Sequence, residues 1–167
     1  TDSLLIAENE GSMRNWNSNF NLNYKFADTL GNELNIDADY GIFRDSHTVL
    51  NQNFYRDPEN INTLASAAYR MNMPRAIDIR SVKADYERAL SLFGNGKDSK
   101  IGAGAKYSDV ATDNTFNFFT VANGTDKFDT DRSNTFEYRE RIAAGYVNGS
   151  TKLGKFSLQV GLRAEHT

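Results

Sequence analysis

Residues 15–26 read Asn-Trp-Asn-Ser-Asn-Phe-Asn-Leu-Asn-Tyr-Lys-Phe. The even positions carry Trp16, Ser18, Phe20, Leu22, Tyr24 and Phe26, and the odd ones Asn15, Asn17, Asn19, Asn21, Asn23 and Lys25. Neighbours on a helix face lie three and four residues apart, so strict alternation gives a helix no apolar side. An extended strand throws successive side chains to opposite sides, and the same residues then make one greasy face and one wet face. This stretch is a two-faced β-strand.

The pattern recurs along the chain. Leu34, Ile36, Ala38, Tyr40 and Ile42 alternate with Asn35, Asp37, Asp39 and Gly41. Val82, Ala84 and Tyr86 alternate with Lys83, Asp85 and Glu87; Ile101, Ala103, Ala105 and Tyr107 alternate with Gly102, Gly104, Lys106 and Ser108. Ile142, Ala144 and Tyr146 read as the apolar side of a further strand. In the last strand, Phe156, Leu158, Val160, Leu162 and Ala164 oppose Ser157, Gln159, Gly161, Arg163 and Glu165. The second strand reads on to Tyr55 past an irregularity near Arg44–His47, and Ser66–Met73 reads as extended.

The connections carry a second signal. Asp28-Thr29-Leu30-Gly31-Asn32 and Lys152-Leu153-Gly154-Lys155 are short turns, and Leu92–Asp98 is a longer Gly/Asn turn of the hairpin kind. Long polar stretches around Arg56–Ala76 and Ala122–Asn134 read as loops. In an up-and-down chain all the short turns then fall at one end and the long loops at the other. Long alternating strands with loops sorted this way are the pattern of an outer-membrane β-barrel. The expected fold is all-β: an antiparallel up-and-down meander of about six long strands over 15–27, 33–55, 77–90, 99–121, 134–151 and 155–166, a partial outer-membrane β-barrel. Residues 1–14 form a lead-in segment and residues 15–167 a fragment of the transmembrane barrel domain. Thr1-Asp2-Ser3 and Glu165-His166-Thr167 read as cut points rather than natural ends.

Composition excludes several classes. No run approaches the roughly 20 apolar residues of a spanning helix, and 20 aromatics among 167 residues are too many for a disordered chain. With 19 Lys+Arg against 22 Asp+Glu the net charge is −3, which lacks the basic footprint of a nucleic-acid binder. The absence of cysteine removes thiolate metal sites, thiol catalysis and disulfides. No basic n-region and apolar h-region open the sequence.

In a barrel the apolar side meets lipid and the polar side lines the lumen. Lys25, Asp37, Asp39, Lys83, Asp85, Glu87, Lys106, Arg141, Arg163 and Glu165 are therefore expected on one face, opposite Leu22, Ile36, Ala84, Ala105, Ala144 and Leu162. Tyr24, Phe26, Tyr40, Tyr86, Tyr107 and Tyr146 are placed as interfacial girdles. The competing reading is a soluble all-β secreted or periplasmic binding or adhesion module, whose apolar faces form a core.

Several phrases carry a family resemblance: Lys83-Ala84-Asp85-Tyr86, Gly102-Ala103-Gly104-Ala105-Lys106-Tyr107-Ser108, Arg132-Ser133-Asn134-Thr135-Phe136-Glu137-Tyr138, Ala144-Gly145-Tyr146-Val147-Asn148 and Gly161-Leu162-Arg163-Ala164-Glu165. From Ile77 to Thr167 the chain resembles the barrel region of TonB-dependent receptor-type outer-membrane proteins of Bacteroidota, and residues 15–55 resemble it through strand pattern alone. The resemblance implies transport: part of the barrel wall of an outer-membrane receptor importing a nutrient by TonB-coupled transport. It also implies its partners, namely outer-membrane lipid, a plug domain, an energy-coupling protein and a nutrient ligand, with no nucleic acid. This chain carries no plug segment and too few strands for a complete receptor, and reads as a mid-barrel excerpt. Excised, its open edges and apolar face are expected to make it either curl the apolar face inward or associate with a second copy.

No residue set points to catalysis, and neither an enzyme, a cofactor nor a metal is expected. Asp126, Asp129 and Asp131 cluster in an acidic stretch but lack the spacing and glycine of a calcium loop, and Asp109 and Asp113 read as solvated charge in the same way. Gly94-Asn95-Gly96-Lys97 lacks the earlier glycine and the following Ser/Thr of a phosphate loop. Gly102-Ala103-Gly104 lacks the third glycine of a dinucleotide site and reads as small inward residues of a strand. His47 and His166 are too scattered for a metal site, and the sequons at Asn123 and Asn148 match a pattern common by chance.

Overall fold

The structure, a computed structural model, describes residues 3–59, 62–91 and 99–167. They form six strands: β1 (Leu4–Ala27), β2 (Asn32–Arg56), β3 (Thr63–Leu90), β4 (Ser99–Ala122), β5 (Thr125–Leu153) and β6 (Phe156–His166). The strands make one sheet in the order β1-β2-β3-β4-β5-β6, so every strand lies beside its sequence neighbour, and β1 and β6 are the edges. No described residue is helical. The expected antiparallel meander is the observed one.

Three of the strands are much longer than alternation alone predicts. β1 begins at Leu4, so the expected lead-in of residues 1–14 is mostly sheet; Asn51 donates to Asn9 at 2.6 Å across the β1–β2 pair. β3 begins at Thr63 and β5 at Thr125. The long loops expected over Arg56–Ala76 and Ala122–Asn134 are therefore strand, joined by a connection at 57–62 and by Asn123-Gly124. Both residues of that last pair have positive φ, 52° and 75°. This is what a two-residue type I′ hairpin turn demands, and Asn-Gly supplies it with least strain. Ser66–Met73 is extended as the sequence reads, and alternation missed the rest for a physical reason. A strand shows the period-two code only where its faces differ; Leu4-Leu5-Ile6 is apolar at both parities and Thr125-Asp126-Lys127 polar at both, so such segments are held by backbone pairing and carry no such code. The expected end-to-end asymmetry survives in another form: β1 turns within a residue or two of Phe26 at one end but runs on more than ten residues past Trp16 at the other. The expected Leu92–Asp98 turn lies outside the described residues.

The chain falls into two compact units. The first comprises Thr1–Asn17, Phe43–Ile77 and Thr112–Tyr138, and the second Ser18–Ile42, Asp78–Ala111 and Arg139–Thr167. Aromatic clusters mark the first. Tyr69 and Phe118 have centroids 5.4 Å apart, as do Phe119 and Phe128, and the Arg132 guanidinium sits 5.0 Å from the centre of the Phe118 ring. The second contains the alternating strands and their hairpin turns.

One layer of sheet has no interior. Among the described residues, Ala144 is the one buried hydrophobic side chain, at 6% exposure, while Leu22, Phe156 and Leu162 are more than 70% exposed. A soluble β-sandwich buries one face of each sheet against another; here the apolar face is bare.

The β1–β2 turn shows how local chemistry reverses the chain. The Asp28 carboxylate accepts from Asn32 Nδ2 at 2.6 Å and from the Asn32 backbone N at 2.8 Å, and Gly31 takes φ 91°. The Asn32 side chain first, then the backbone amides of Asn32, Leu30 and Gly31, hold the Asp28 carboxyl below its usual range. A lowered folded value means that the charged carboxylate stabilises the turn above the unfolded value of about 3.9, and that this is lost as pH falls through the folded value. Amide exchange at Gly31 and Asn32 should accelerate on acidification below about pH 4 beyond the intrinsic rate, and Asp28→Asn should remove that acid-dependent step.

Candidate functional site

The second unit sorts its side chains by chemistry. On one face, Asn21 donates to Asp39 at 2.7 Å and Ser81 donates to the other oxygen of Asp39 at 3.1 Å, joining β1, β2 and β3. Asn23 reaches Asn35 at 3.0 Å and Asp37 at 2.5 Å. Lys25 pairs with Glu33 at 2.6 Å, and Lys100 of β4 with Glu87 of β3 at 2.5 Å. Lys83 meets Asp85 at 2.6 Å along β3, and the Tyr146 hydroxyl of β5 donates to Asp85. The Arg163 guanidinium lies 6.0 Å from the Tyr146 ring centre and pairs with Glu165 at 2.6 Å. Side chains from all six strands thus take part in polar contacts on this face. Between β1 and β5 it encloses a hollow of ≈ 390 Å³ lined by Lys25, Glu33, Asp85, Glu87, Tyr146 and Asn148, among others.

The register between β5 and β6 decides which residues of β5 belong to this face. Ala144 lies opposite Glu165, Tyr146 opposite Arg163 and Asn148 opposite Gly161; Gly145, Val147 and Gly149 lie opposite Ala164, Leu162 and Val160. Directly paired residues share a face. Ala144 and Tyr146 are therefore on the polar side, and Ala143, Gly145 and Val147 carry the apolar side. This corrects the sequence reading of β5, which put Ile142, Ala144 and Tyr146 with the apolar residues and Arg141 with the polar ones. By alternation Arg141 lies with Ala143, and Tyr146 is no girdle residue. The stretch Ile142-Ala-Ala-Gly-Tyr-Val147 is apolar or small at both parities, so only the partner strand chooses between them. Glycines on β4 make the choice possible: a Cβ at Gly104 would collide with the Tyr146 ring, and one at Gly102 would come 2.7 Å from Asn148 Oδ1. The rest of the polar face is as expected, with Lys25, Asp37, Asp39, Lys83, Asp85, Glu87, Lys106, Arg163 and Glu165 opposite Leu22, Ile36, Ala84, Ala105 and Leu162.

A model of the outer membrane protein beta-barrel family matches residues 24–167, most of the chain. The chain belongs to that family. It is a protein of the bacterial outer membrane, and its six strands are barrel wall. No curated protein matches the sequence. Membership gives the two faces of a family barrel their meanings. The bare apolar side, with Phe20, Leu22, Ile36, Val147, Val160 and Leu162, is the lipid side, and the hydrogen-bonded polar side is the lumen. β6 has 11 residues, within the span of roughly 9–11 that a tilted strand needs to cross the hydrocarbon. The soluble-module reading falls with the family and with the uncovered apolar face.

The remaining candidates from the sequence are scattered. Asp126 pairs with Arg70 at 3.1 Å, while Asp129 accepts the backbone amides of Asp131 and Arg132, each at 3.1 Å. The Asp129 carboxylate shapes its own stretch of β5, and Asp126 ties β5 to β3. Asp109 is held by Arg139, and Asp113 stays exposed on β4. Asn123 makes the hairpin turn, Asn148 faces Gly102, and Gly94–Lys97 lies outside the described residues. His47 approaches Gly11 in the first unit, and His166 ends β6 opposite Ala143. Tyr146 is the residue of the polar contacts that sequence reasoning misplaced, together with its β5 neighbours Arg141, Ile142 and Ala144. The available signal was the glycine pair Gly102 and Gly104, which mark where a large neighbour must fit.

Proposed function

We propose that this barrel wall belongs to an outer-membrane receptor that imports a scarce nutrient by TonB-coupled transport, and that it performs no catalysis. The observation that carries the reading is the lumen face itself. It is a band of paired acids, bases and amides reaching from Asn21 on β1 to Glu165 on β6, with most of its donors and acceptors already matched to one another. A surface of this kind suits reversible contact with a hydrated protein plug or a passing polar solute, since its groups can exchange partners without exposing bare charge. The hydroxyls that meet carboxylates in it, Ser81 at Asp39 and Tyr146 at Asp85, serve as donors within the paired band. The resemblance of residues 77–167 to TonB-dependent receptor barrels of Bacteroidota supports the same reading. The plug, the inner-membrane energy coupler and the nutrient are the partners it requires, beside outer-membrane lipid.

Deleting the gene should abolish high-affinity uptake of one nutrient. Collapsing the proton gradient of the inner membrane should stop uptake in wild-type cells while ligand still binds at the surface. Uptake that persists without the gradient would make the protein a passive pore, and unchanged growth on every scarce nutrient tested would remove the transport reading.

A further inference from the structure

On the lipid side of the second unit, the apolar band ends in arginines. Tyr40 stacks on Phe20 with ring centroids 6.4 Å apart, and the Arg80 guanidinium lies 5.7 Å from the Tyr40 ring centre, so Arg80 shares the face of the apolar band. On β5, Arg139 donates to both oxygens of Asp109, at 2.8 and 2.5 Å. Arg141 is the next residue on that side, followed by Ala143 and Gly145. All three arginines are exposed, whereas the Asp109 side chain is only 12% exposed. Asp109 lies close enough to Arg139, Arg141 and Arg80 to feel the charge of each. Toward the hairpin turns, the same face holds a hollow of ≈ 560 Å³ lined mainly by small side chains, among them Val82, Ala84, Ala105, Ala143, Gly145 and Ala164.

We propose that this surface seats a phosphorylated glycolipid of the outer leaflet, its phosphate on Arg80, Arg139 and Arg141 and an acyl chain in the hollow beside them. Exposed arginines on a lipid-facing surface belong at headgroup depth, because guanidinium in hydrocarbon is costly. At that depth the anion within reach is a lipid phosphate, which the planar guanidinium fork grips through two parallel hydrogen bonds. A hollow floored by alanine and glycine, opening directly below the charges, matches a molecule that is anionic at one end and apolar at the other. The strands run on past the arginines, well beyond the apolar band, at the end away from the Asp28–Asn32 and Gly154 turns. Chain that reaches far beyond the bilayer lies on the extracellular side of an outer-membrane barrel, so the arginines lie at the outer leaflet. The inference stands independently of what the protein transports.

The test uses the intact protein in phosphatidylcholine nanodiscs carrying lipid A or dephosphorylated lipid A at equal mole fraction. Lipid retained by the protein after detergent extraction is counted by native mass spectrometry. Wild-type protein should retain lipid A over its dephosphorylated form, and Arg80→Gln with Arg141→Gln should lose about 25-fold of that preference, roughly fivefold for each charge removed at an anionic surface. Arg132→Gln, in the aromatic cluster of the first unit, should keep it. Equal retention of the two lipids by wild-type protein overturns the proposal without reference to any variant. Displacement of lipid A by millimolar inorganic phosphate also overturns it, because the site would then be a simple anion site rather than a lipid seat.

Discussion

Leu162→Arg is expected to destabilise the membrane-inserted protein by about 2–4 kcal/mol, the cost of an arginine on the lipid face near the bilayer midplane. Leu162 is 74% exposed, lies opposite Val147 on the same face and sits past the middle of β6, flanked along its side by Val160 and Ala164. In the membrane its neighbours are acyl chains, which offer a guanidinium no hydrogen-bond acceptor. Gln159→Arg tests the other face of the same strand. Gln159 pairs with Ser150 on the polar side, where water stabilises a charge, and the expected change is within about 0.5 kcal/mol. Equilibrium unfolding in guanidinium from phospholipid vesicles reads both. Equal costs at the two positions would mean that the faces are assigned the wrong way or that β6 does not cross the membrane.

Gly104→Val is expected to cost roughly 2–5 kcal/mol, combining overpacking with loss of the hydrogen bond from Tyr146 to the Asp85 carboxylate. An added Cβ meets the Tyr146 ring carbons and its hydroxyl, and the ring is not free to retreat. It is held by Asp85 on one side and faced by Arg163 on the other. Tyr146→Ala should therefore relieve Gly104→Val. The double variant should be more stable than the sum of the single changes predicts, a coupling that a double-mutant cycle measures directly. Gly145→Val is the contrast, since Gly145 neighbours Tyr146 in sequence but faces lipid, where a Cβ meets nothing within 4 Å. Its change is expected to lie near zero. If Gly104→Val were equally silent, Tyr146 would not occupy the lumen position that the β5–β6 register gives it.

Alternation at 15–26, 34–42, 101–107 and 156–164 was enough, from the residues alone, to give β-strands there and the identity of each of their faces. In these segments one side of the sheet meets hydrocarbon, and the resulting period of two survives in the sequence without any partner strand. The short turns were legible for a related reason, because Asp28…Asn32 and Gly154 carry the local chemistry of chain reversal themselves. Two matters were decided only by the sheet. The first is the extent of the strands beyond the apolar band, from Leu4, from Thr63 and from Thr125. There the two faces do not differ in polarity, with apolar residues at both parities in Leu4-Leu5-Ile6 and polar ones at both in Thr125-Asp126-Lys127, and what keeps the chain extended is the backbone of the adjacent strand, which leaves no mark on side-chain pattern. The second is the face of β5. Ile142 to Val147 offers nearly equal apolar content at either parity, so a one-residue shift costs little in hydrophobicity and the choice falls to packing. Tyr146 fits only over the space left by Gly104, within reach of Asp85 and opposite Arg163, and those three residues lie on three other strands.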